Sequence, residues 1–243
     1  MTILDEYKSF INLLEECKTK YGEFSNSTLI VKLSIYIFLI ENSNLKPFQY
    51  RIELLNDIIK QYNDAPLLST RPPVMIDNDG EDAFIFIPDI NDQYDRHKNE
   101  IKTRIINMDM PEQFNNIKIN NWYIYVTTLD DKILILDSPQ TTTELITGRK
   151  NNLWGDVQPE HPLLLCDYEN LIVKSAGEML VTNDKVSDDM HILINNKSGH
   201  FKPNVSSIKI TKTLIKKYLN ILDDKIHTIP FDFEDSFKKK KQV

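Results

Sequence analysis

The chain has 243 residues, of which 41% are hydrophobic and 27% are charged, and its formal net charge is −7. This length and composition are typical of a globular protein with one large domain or two small ones. The negative charge disfavours general binding to nucleic acid or to anionic membranes, and the 6 glycines leave few positions for a phosphate-binding loop.

The same composition predicts an intracellular, cytoplasmic protein with no membrane span. The first ten residues, MTILDEYKSF, are acidic and lack the apolar segment of a signal peptide. The most hydrophobic run, residues 29–40, contains Lys32 and is shorter than the roughly 20 residues that a spanning helix needs. Cys17 and Cys166 are interpreted as reduced thiols, although a disulfide between them stays an alternative.

Helical spacing of apolar residues dominates the first quarter of the chain. One of Ser25, Asn26 and Ser27 is the expected cap of the second helix. Prolines 66, 72 and 73 then end the helical region, because proline cannot donate a backbone hydrogen bond. The expected helices are residues 3–21, the stretch after Ser25 to Ser27, and residues 48–62.

The segment DNDGED, which follows VMI and precedes AFIFI, predicts a β-hairpin because an Asp-Gly pair suits a turn with positive φ. A calcium-binding loop is the alternative, but Gly80 lies only three residues after Asp77, and an EF-hand loop needs its glycine at the sixth position. Residues 93–109 are charged and predict a short helix or an exposed loop.

Alternation marks the clearest strands, where Trp122, Ile124 and Val126 alternate with Tyr123 and Tyr125. We predict an α+β fold, in which the N-terminal helices and a C-terminal helix pack on a mainly antiparallel, curved sheet. The expected organisation is a helical segment over 1–65, an α+β domain over 66–230 and a disordered basic tail over 231–243. The expected strands are NWYIYVTT, KILILD, TELITG, PLLLCD, LIVKSAGEMLV and MHILIN, and the last helix is SSIKITKTLIKKYLNIL.

The stretch HILINNKSGHFKPN, residues 191–204, predicts a rigid turn between a strand and the last helix. Gly199 permits a sharp or left-handed turn, and Pro203 should bias Lys202 towards an extended conformation. On this interpretation, Ser198 or His200 satisfies backbone groups of the turn. A structural role is the interpretation that this pattern favours.

The alternative interpretation is a catalytic site, because a histidine on a rigid turn can transfer a proton near neutral pH. Its candidate partner is Glu178, which lies in an otherwise apolar strand and, if it is buried, must be paired with a group such as His200 or Arg149. Ser175 and Cys166 are the candidate nucleophiles. His191 and His200 match no zinc spacing, so we expect no metal and no cofactor. The candidate catalytic residues are His200, Glu178 and Ser175, and the candidate binding residues are Ser198, Lys202 and Arg149.

A series of short motifs carries a resemblance to a known family. In chain order they are WYIYVTT, KILIL, EHPLLL, SAGEMLV and HILINNKSGHFKP, followed by a closing helix. From residue 121 to about residue 226, the chain resembles the C-terminal region of the plant calmodulin-binding proteins that carry an IQ motif, and of related uncharacterised proteins. The chain has no IQ motif, so calmodulin binding does not carry over. The resemblance implies no catalytic residue.

Two functional hypotheses follow from the sequence. The first is a soluble intracellular binding or adaptor protein with a protein partner. The second is a transferase or hydrolase that uses the residues around His200 and Glu178. The abundance of Ile, Asn, Lys and Asp hints at an AT-rich genome, which would fit a host-interaction protein such as an effector.

Overall fold

The computed structural model describes residues 2–63, 74–78, 80–86, 98–147, 153, 158–185 and 187–233. Its helices and two β-sheets form an α+β fold, which confirms the predicted class. Contacts divide the chain into two compact units, which are Met1–Ala65 with Asp184–Asp189, and Pro66–Asn183 with Met190–Val243.

The first unit contains three helices at the predicted positions. Thr2 and Asp5 form a capping box at the first helix, and the Ser25 hydroxyl caps the second. The second helix packs against both of the others and is buried on most sides, which explains why its sequence is apolar nearly all round. The helices are α1 Ile3–Tyr21, α2 Asn26–Glu41 and α3 Phe48–Asn63.

Lys32, the charged residue in the apolar run of α2, forms one ion pair with the turn between α1 and α2 and another with α3. Its Nζ lies 2.6 Å from Glu23 Oε1 and 2.7 Å from Asp57 Oδ2. Burial opposes the charge, but the two carboxylates outweigh burial and raise the pKa of Lys32 above its ordinary value. In the part of the chain that the structure describes, no helix is long and apolar enough to cross a membrane.

The second unit is built on a six-stranded sheet. Its strands are β3 Ile105–Asn107, β4 Asn121–Thr127, β5 Ile133–Leu136, β7 Ser175–Asp184, β8 Asp189–Asn195 and β9 Ile226–Ile229. Their order across the sheet is β3-β5-β4-β7-β8-β9. The pairs β3–β5, β4–β5 and β4–β7 are antiparallel, whereas β9 runs parallel to β8. The sheet is therefore mainly antiparallel with one parallel edge strand.

A smaller sheet consists of β1 Met75–Asn78, β2 Glu81–Ile85 and β6 Ile172–Val173. Its order is β1-β2-β6, and β1 and β2 form the predicted hairpin. Gly80 has a φ of 87°, and its N–H donates to Asp77 Oδ1 at 2.8 Å. The segment DNDGED therefore forms a turn, as the hairpin prediction requires.

Apolar residues cover both faces of the six-stranded sheet. Along β4, Tyr123 and Tyr125 lie in the core with the C-terminal helix, whereas Ile124 and Val126 lie in a second core. This confirms the alternation predicted for β4. The C-terminal helix spans Ser207–Leu219, and the second core also contains Phe84, Leu163 and Phe201.

Two segments that were predicted as strands are helical. Residues 143–147 of TELITG lie in a helix over Thr142–Thr147, because Thr141 and Glu144 make reciprocal hydrogen bonds as a capping box. PLLLCD overlaps a 3-10 helix over His161–Leu165. Pro162 suits the first turn of a helix, and a short apolar run without alternation does not distinguish a strand from a buried helix.

Other elements were not predicted, or lie beyond predicted boundaries. Residues 93–109, expected as a short helix or loop, contain both a short helix and β3, while β9 was not predicted at all. Phe231 and Phe233 are buried, so ordered chain extends past residue 230 into the segment expected to be disordered. The remaining helices are α4 Lys98–Lys102, α5 Pro111–Phe114, α6 Thr142–Thr147, α7 Ser207–Leu219 and a 3-10 turn over Asp223–Lys225.

Candidate functional site

At Gly177 the backbone of β7 lies close to the backbone of β8. A Cβ atom added there would lie 1.9 Å from the carbonyl oxygen of Asn195. The Tyr125 hydroxyl donates a hydrogen bond to that same oxygen at 2.8 Å. On the other side, His161 Nε2 donates to the Gly177 carbonyl at 2.9 Å. Only glycine leaves room for this approach of one backbone to another.

The side chain of Asn195 binds Glu178. Asn195 Oδ1 accepts the Glu178 N–H at 2.8 Å, and Asn195 Nδ2 donates to Glu178 Oε2 at 2.8 Å. The sequence predicted that Glu178 would pair with His200 or Arg149. His200 pairs elsewhere, and Arg149 lies outside the described residues, so the partner that the structure gives Glu178 is an uncharged amide on the adjacent strand.

Asn196, the next residue, joins two segments that are distant in sequence. Its Nδ2 donates to the carbonyl oxygens of Pro203 at 2.8 Å and of Phe231 at 2.9 Å. Its Oδ1 accepts the Phe231 N–H at 2.8 Å. Because Asn196 is fully buried, these hydrogen bonds replace all of its contacts with water. We call Gly177, Asn195 and Asn196 the asparagine lock.

The corner, residues 198–203, turns differently from the prediction. Ser198 is buried, and its carbonyl accepts the Lys202 N–H at 2.9 Å. Gly199 is not among the residues with positive φ, whereas Lys202 has a φ of 48°. Gly199 therefore lies in the predicted turn without the left-handed conformation, whereas the predicted extended conformation of Lys202 was wrong. Pro203 disfavours the right-handed helical region for Lys202, and the left-handed conformation is the one that closes this turn.

His200 pairs with a carboxylate that the sequence analysis did not consider. Its Nε2 lies 3.4 Å from Glu160 Oε2, and its side chain is 29% exposed. The ring meets Phe86 edge-on at 5.0 Å between centroids and lies 6.4 Å from the ring of His161. The imidazole is therefore held by its contact with the Glu160 carboxylate and by aromatic packing at the surface.

Ser175 is fully buried, in a layer of hydroxyl groups between β4, β7 and α7. Its Oγ lies 3.1 Å from Ser207 Oγ, and Thr127 Oγ1 lies 2.7 Å from Thr211 Oγ1. Burial raises the pKa of nearby Tyr125 to about 12, against the opposing effect of hydrogen bonds to Ser175 and Thr211. These hydroxyls satisfy one another inside the core.

The three predicted catalytic residues thus have separate partners. Among the described residues, no hydrogen bond or ion pair joins any two of His200, Glu178 and Ser175. Cys166 is a half-buried free thiol, and burial, followed by the neighbouring Asp167 charge, raises its pKa. A raised pKa disfavours the thiolate that a nucleophile requires.

A cleft of about 510 Å³ lies beside the corner. Buried Phe84 and Phe233 form its apolar part, while Met75 and Val205 are exposed. Lys202, one of the predicted binding residues, lines the cleft; that it binds a ligand stays a prediction. The other lining residues are Asn204, Ser206 and Asp232.

The walls of the cleft are joined through asparagines. Asn204 Nδ2 donates to Asp82 Oδ2 on β2 at 2.7 Å, which links the corner to the hairpin. Asn196 links the corner to the segment that contains Phe231, through the hydrogen bonds described above. The cleft is therefore a pre-organised feature, as binding sites usually are.

Within the described ranges, no three His, Cys, Asp or Glu side chains cluster as metal ligands would. His191, whose spacing from His200 matches no zinc site, contacts His227 on β9, with His191 Nδ1 3.0 Å from His227 Nε2. That contact was not predicted, because β9 itself was not.

The asparagine lock was missed although the sequence contains a signal for it. Asparagine is disfavoured in strands, so the consecutive pair Asn195-Asn196 at the end of an apolar strand indicates side chains needed for hydrogen bonding. The candidate site was instead predicted to lie at His200.

Comparison of the chain with protein-family models, with curated proteins and with solved structures finds no match. The resemblance of residues 121 to about 226 to the plant calmodulin-binding family therefore stays a prediction. Function has to be argued from the geometry of the chain itself.

Proposed function

We propose that this chain is a non-enzymatic intracellular adaptor that binds a segment of a protein partner in the cleft beside the corner. The observation that carries the proposal is the lining of the cleft, where buried Phe84 and Phe233 adjoin exposed Met75 and Val205. Apolar surface with a few polar groups around it suits an apolar side chain of a peptide.

The polar groups at the cleft support recognition of a peptide. Lys202 and Asp232 supply opposite charges, and Ser206 supplies a hydroxyl. A peptide backbone offers both donors and acceptors, so a lining with both kinds of group complements it.

The positions of the predicted catalytic residues favour binding over catalysis. His200, Glu178 and Ser175 do not line the cleft, and each is engaged with a different partner. A nucleophile and its base must lie within hydrogen-bond reach of one another. The transferase or hydrolase alternative lacks that arrangement among the described residues.

The proposal is tested by panning a display library of random linear peptides on the folded protein. We expect enriched peptides that share an apolar residue. Val205→Asp and Met75→Asp should each weaken their binding by roughly tenfold or more, because a buried carboxylate without a partner is costly.

The matched control is Leu222→Asp, which also places a carboxylate at an exposed apolar position but does not line the cleft. The affinity of this control variant for the enriched peptides should equal that of the unmodified protein. The proposal is overturned if no peptide is enriched, or if the enriched peptides bind the Val205→Asp and Met75→Asp variants as tightly as the unmodified protein.

A further inference from the structure

Two histidines on adjacent strands are in direct contact. His191 lies on β8 and His227 on β9, and the two strands pair in parallel. His191 Nδ1 and His227 Nε2 are 3.0 Å apart, and the rings are near-parallel, with an interplanar angle of 17° and centroids 5.3 Å apart. This distance is that of a hydrogen bond between the rings.

Such a contact depends on the protonation state of both rings. A neutral imidazole has one N–H donor and one acceptor nitrogen, whereas the charged form has only donors. The contact therefore exists when at least one ring is neutral. When both rings are protonated, the acceptor is lost and two positive charges face each other.

The charged groups around His227 come from three neighbouring elements. His191 lies on β8, Lys212 on α7, and Asp224 and Lys225 on the 3-10 turn before β9. Burial, followed by the positive charges of His191 and Lys212, lowers the pKa of His227 to about 4. Only Asp224 acts in the opposite direction.

The direction of the pH effect follows from these pKa values. An unfolded histidine has a pKa of about 6.5, so the released strand takes up a proton at a higher pH than the paired strand does. The contact is thus fully stabilising above about pH 6.5, and its contribution is lost as the pH falls towards about 4.

Strand β9 connects this pair to the cleft. It is the edge strand of its sheet and is hydrogen-bonded to β8. Two residues after it, Phe231 is bound by Asn196, and the following residues, Asp232 and Phe233, line the cleft. Loosening of β9 would therefore loosen one wall of the cleft.

We propose that the His191–His227 pair is an acid-sensitive latch, which holds β9 and the adjoining wall of the cleft in place at neutral pH and releases them on acidification. The effect of release on ligand binding rests on the proposed function, whereas the latch itself does not.

The latch is tested by backbone hydrogen exchange of the whole chain at about pH 7.5 and about pH 5, values on either side of the ordinary histidine pKa of about 6.5. Rates are compared as protection factors, which remove the intrinsic dependence of exchange on pH. We expect protection of residues 226–231 to fall at the lower pH, while protection of β4 stays unchanged.

Two variants separate the pair from general acid sensitivity. His227→Phe keeps an aromatic ring but cannot be protonated, so protection of residues 226–231 should no longer depend on pH. Thr228→Phe, at the neighbouring exposed position on β9, keeps the pair and should retain the dependence. The proposal is overturned if protection of residues 226–231 in the unmodified protein does not fall at the lower pH, and this measurement needs no variant. It is also overturned if the fall in protection persists in His227→Phe.

Peptide affinity is then measured at the same two pH values with a peptide selected by display. Weaker binding at the lower pH, restored by His227→Phe, supports the link between the latch and the cleft. A fall in protection without a change in affinity would overturn that link, while the latch stands. Failure to select any peptide would count against the proposed function alone.

Discussion

The asparagine lock contains Asn195 and Asn196, which lie just before the corner in sequence, but the two regions differ in how strongly their geometry depends on particular side chains. A Cβ atom on Gly177 would meet the Asn195 carbonyl oxygen at 1.9 Å, whereas one on Gly199 would meet nothing within 4 Å. Asn196 is fully buried, whereas His200 is partly exposed at its contact with Glu160. The position of the corner is therefore set mainly by the buried asparagine before it, which binds the Pro203 carbonyl.

The largest expected effect is that of Gly177→Ala. The new methyl group has no room between β7 and β8, so the two strands must separate and the Tyr125 hydrogen bond to Asn195 must change. We expect a loss of about 3 kcal/mol or more in the free energy of unfolding, measured with urea.

Gly199→Ala is the matched control, because it adds the same methyl group to a glycine of the corner. It should change the free energy of unfolding by about 0.5 kcal/mol or less. Similar losses for the two alanine variants would contradict the comparison between lock and corner.

Asn196→Ala should have the next largest effect. It removes the side chain that donates to Pro203 and Phe231 and accepts from Phe231, and it leaves those buried backbone groups without partners. We expect a loss of about 2–4 kcal/mol in the free energy of unfolding. Exposed Asn116 gives the control, since Asn116→Ala should cost about 0.5 kcal/mol or less.

Glu178→Gln should have a small effect, because the glutamine oxygen can accept the hydrogen bond from Asn195 Nδ2 in place of the carboxylate. We expect a change of about 1 kcal/mol or less in unfolding free energy and unchanged affinity for peptides selected by display. A variant that is folded yet has lost an activity of the unmodified protein would instead favour the enzyme hypothesis.

His200→Ala should have the smallest effect of all. Its ion pair with Glu160 is partly exposed, and such pairs contribute about 0.5 kcal/mol or less. Thermal unfolding and peptide affinity should therefore stay close to those of the unmodified protein. Loss of turnover on any substrate, with the fold intact, would restore His200 as a catalytic candidate.

Sequence periodicity was sufficient for the long elements of the fold. The three N-terminal helices, the C-terminal helix and the β1–β2 hairpin have local signals in the spacing of apolar residues, in caps and in an Asp-Gly turn. It failed for short elements such as His161–Leu165 and β9, because a run of four or five residues is too short to carry a distinctive period. Their conformation depends on what packs against them.

For the candidate site, the sequence pattern indicated interactions that differ from those in the structure. It singled out residues 191–204, and both the lock and part of the cleft include residues of that stretch. It paired Glu178 with His200 because a buried carboxylate is expected to need a charged partner. Asn195 serves instead, since an amide on the neighbouring strand can reach both the side chain and the backbone N–H of Glu178.

By itself, the sequence determined the α+β class, the three N-terminal helices and the presence of a turn before the last helix, because these depend on contacts within a few residues. Only the tertiary structure decided that Gly177 must be glycine, that Asn196 binds Phe231, and that His191 meets His227. Each of these contacts joins residues that are 18 to 36 positions apart. Local patterns carry no information about which distant strand supplies the partner, since that depends on the order and register of strands in the folded sheet.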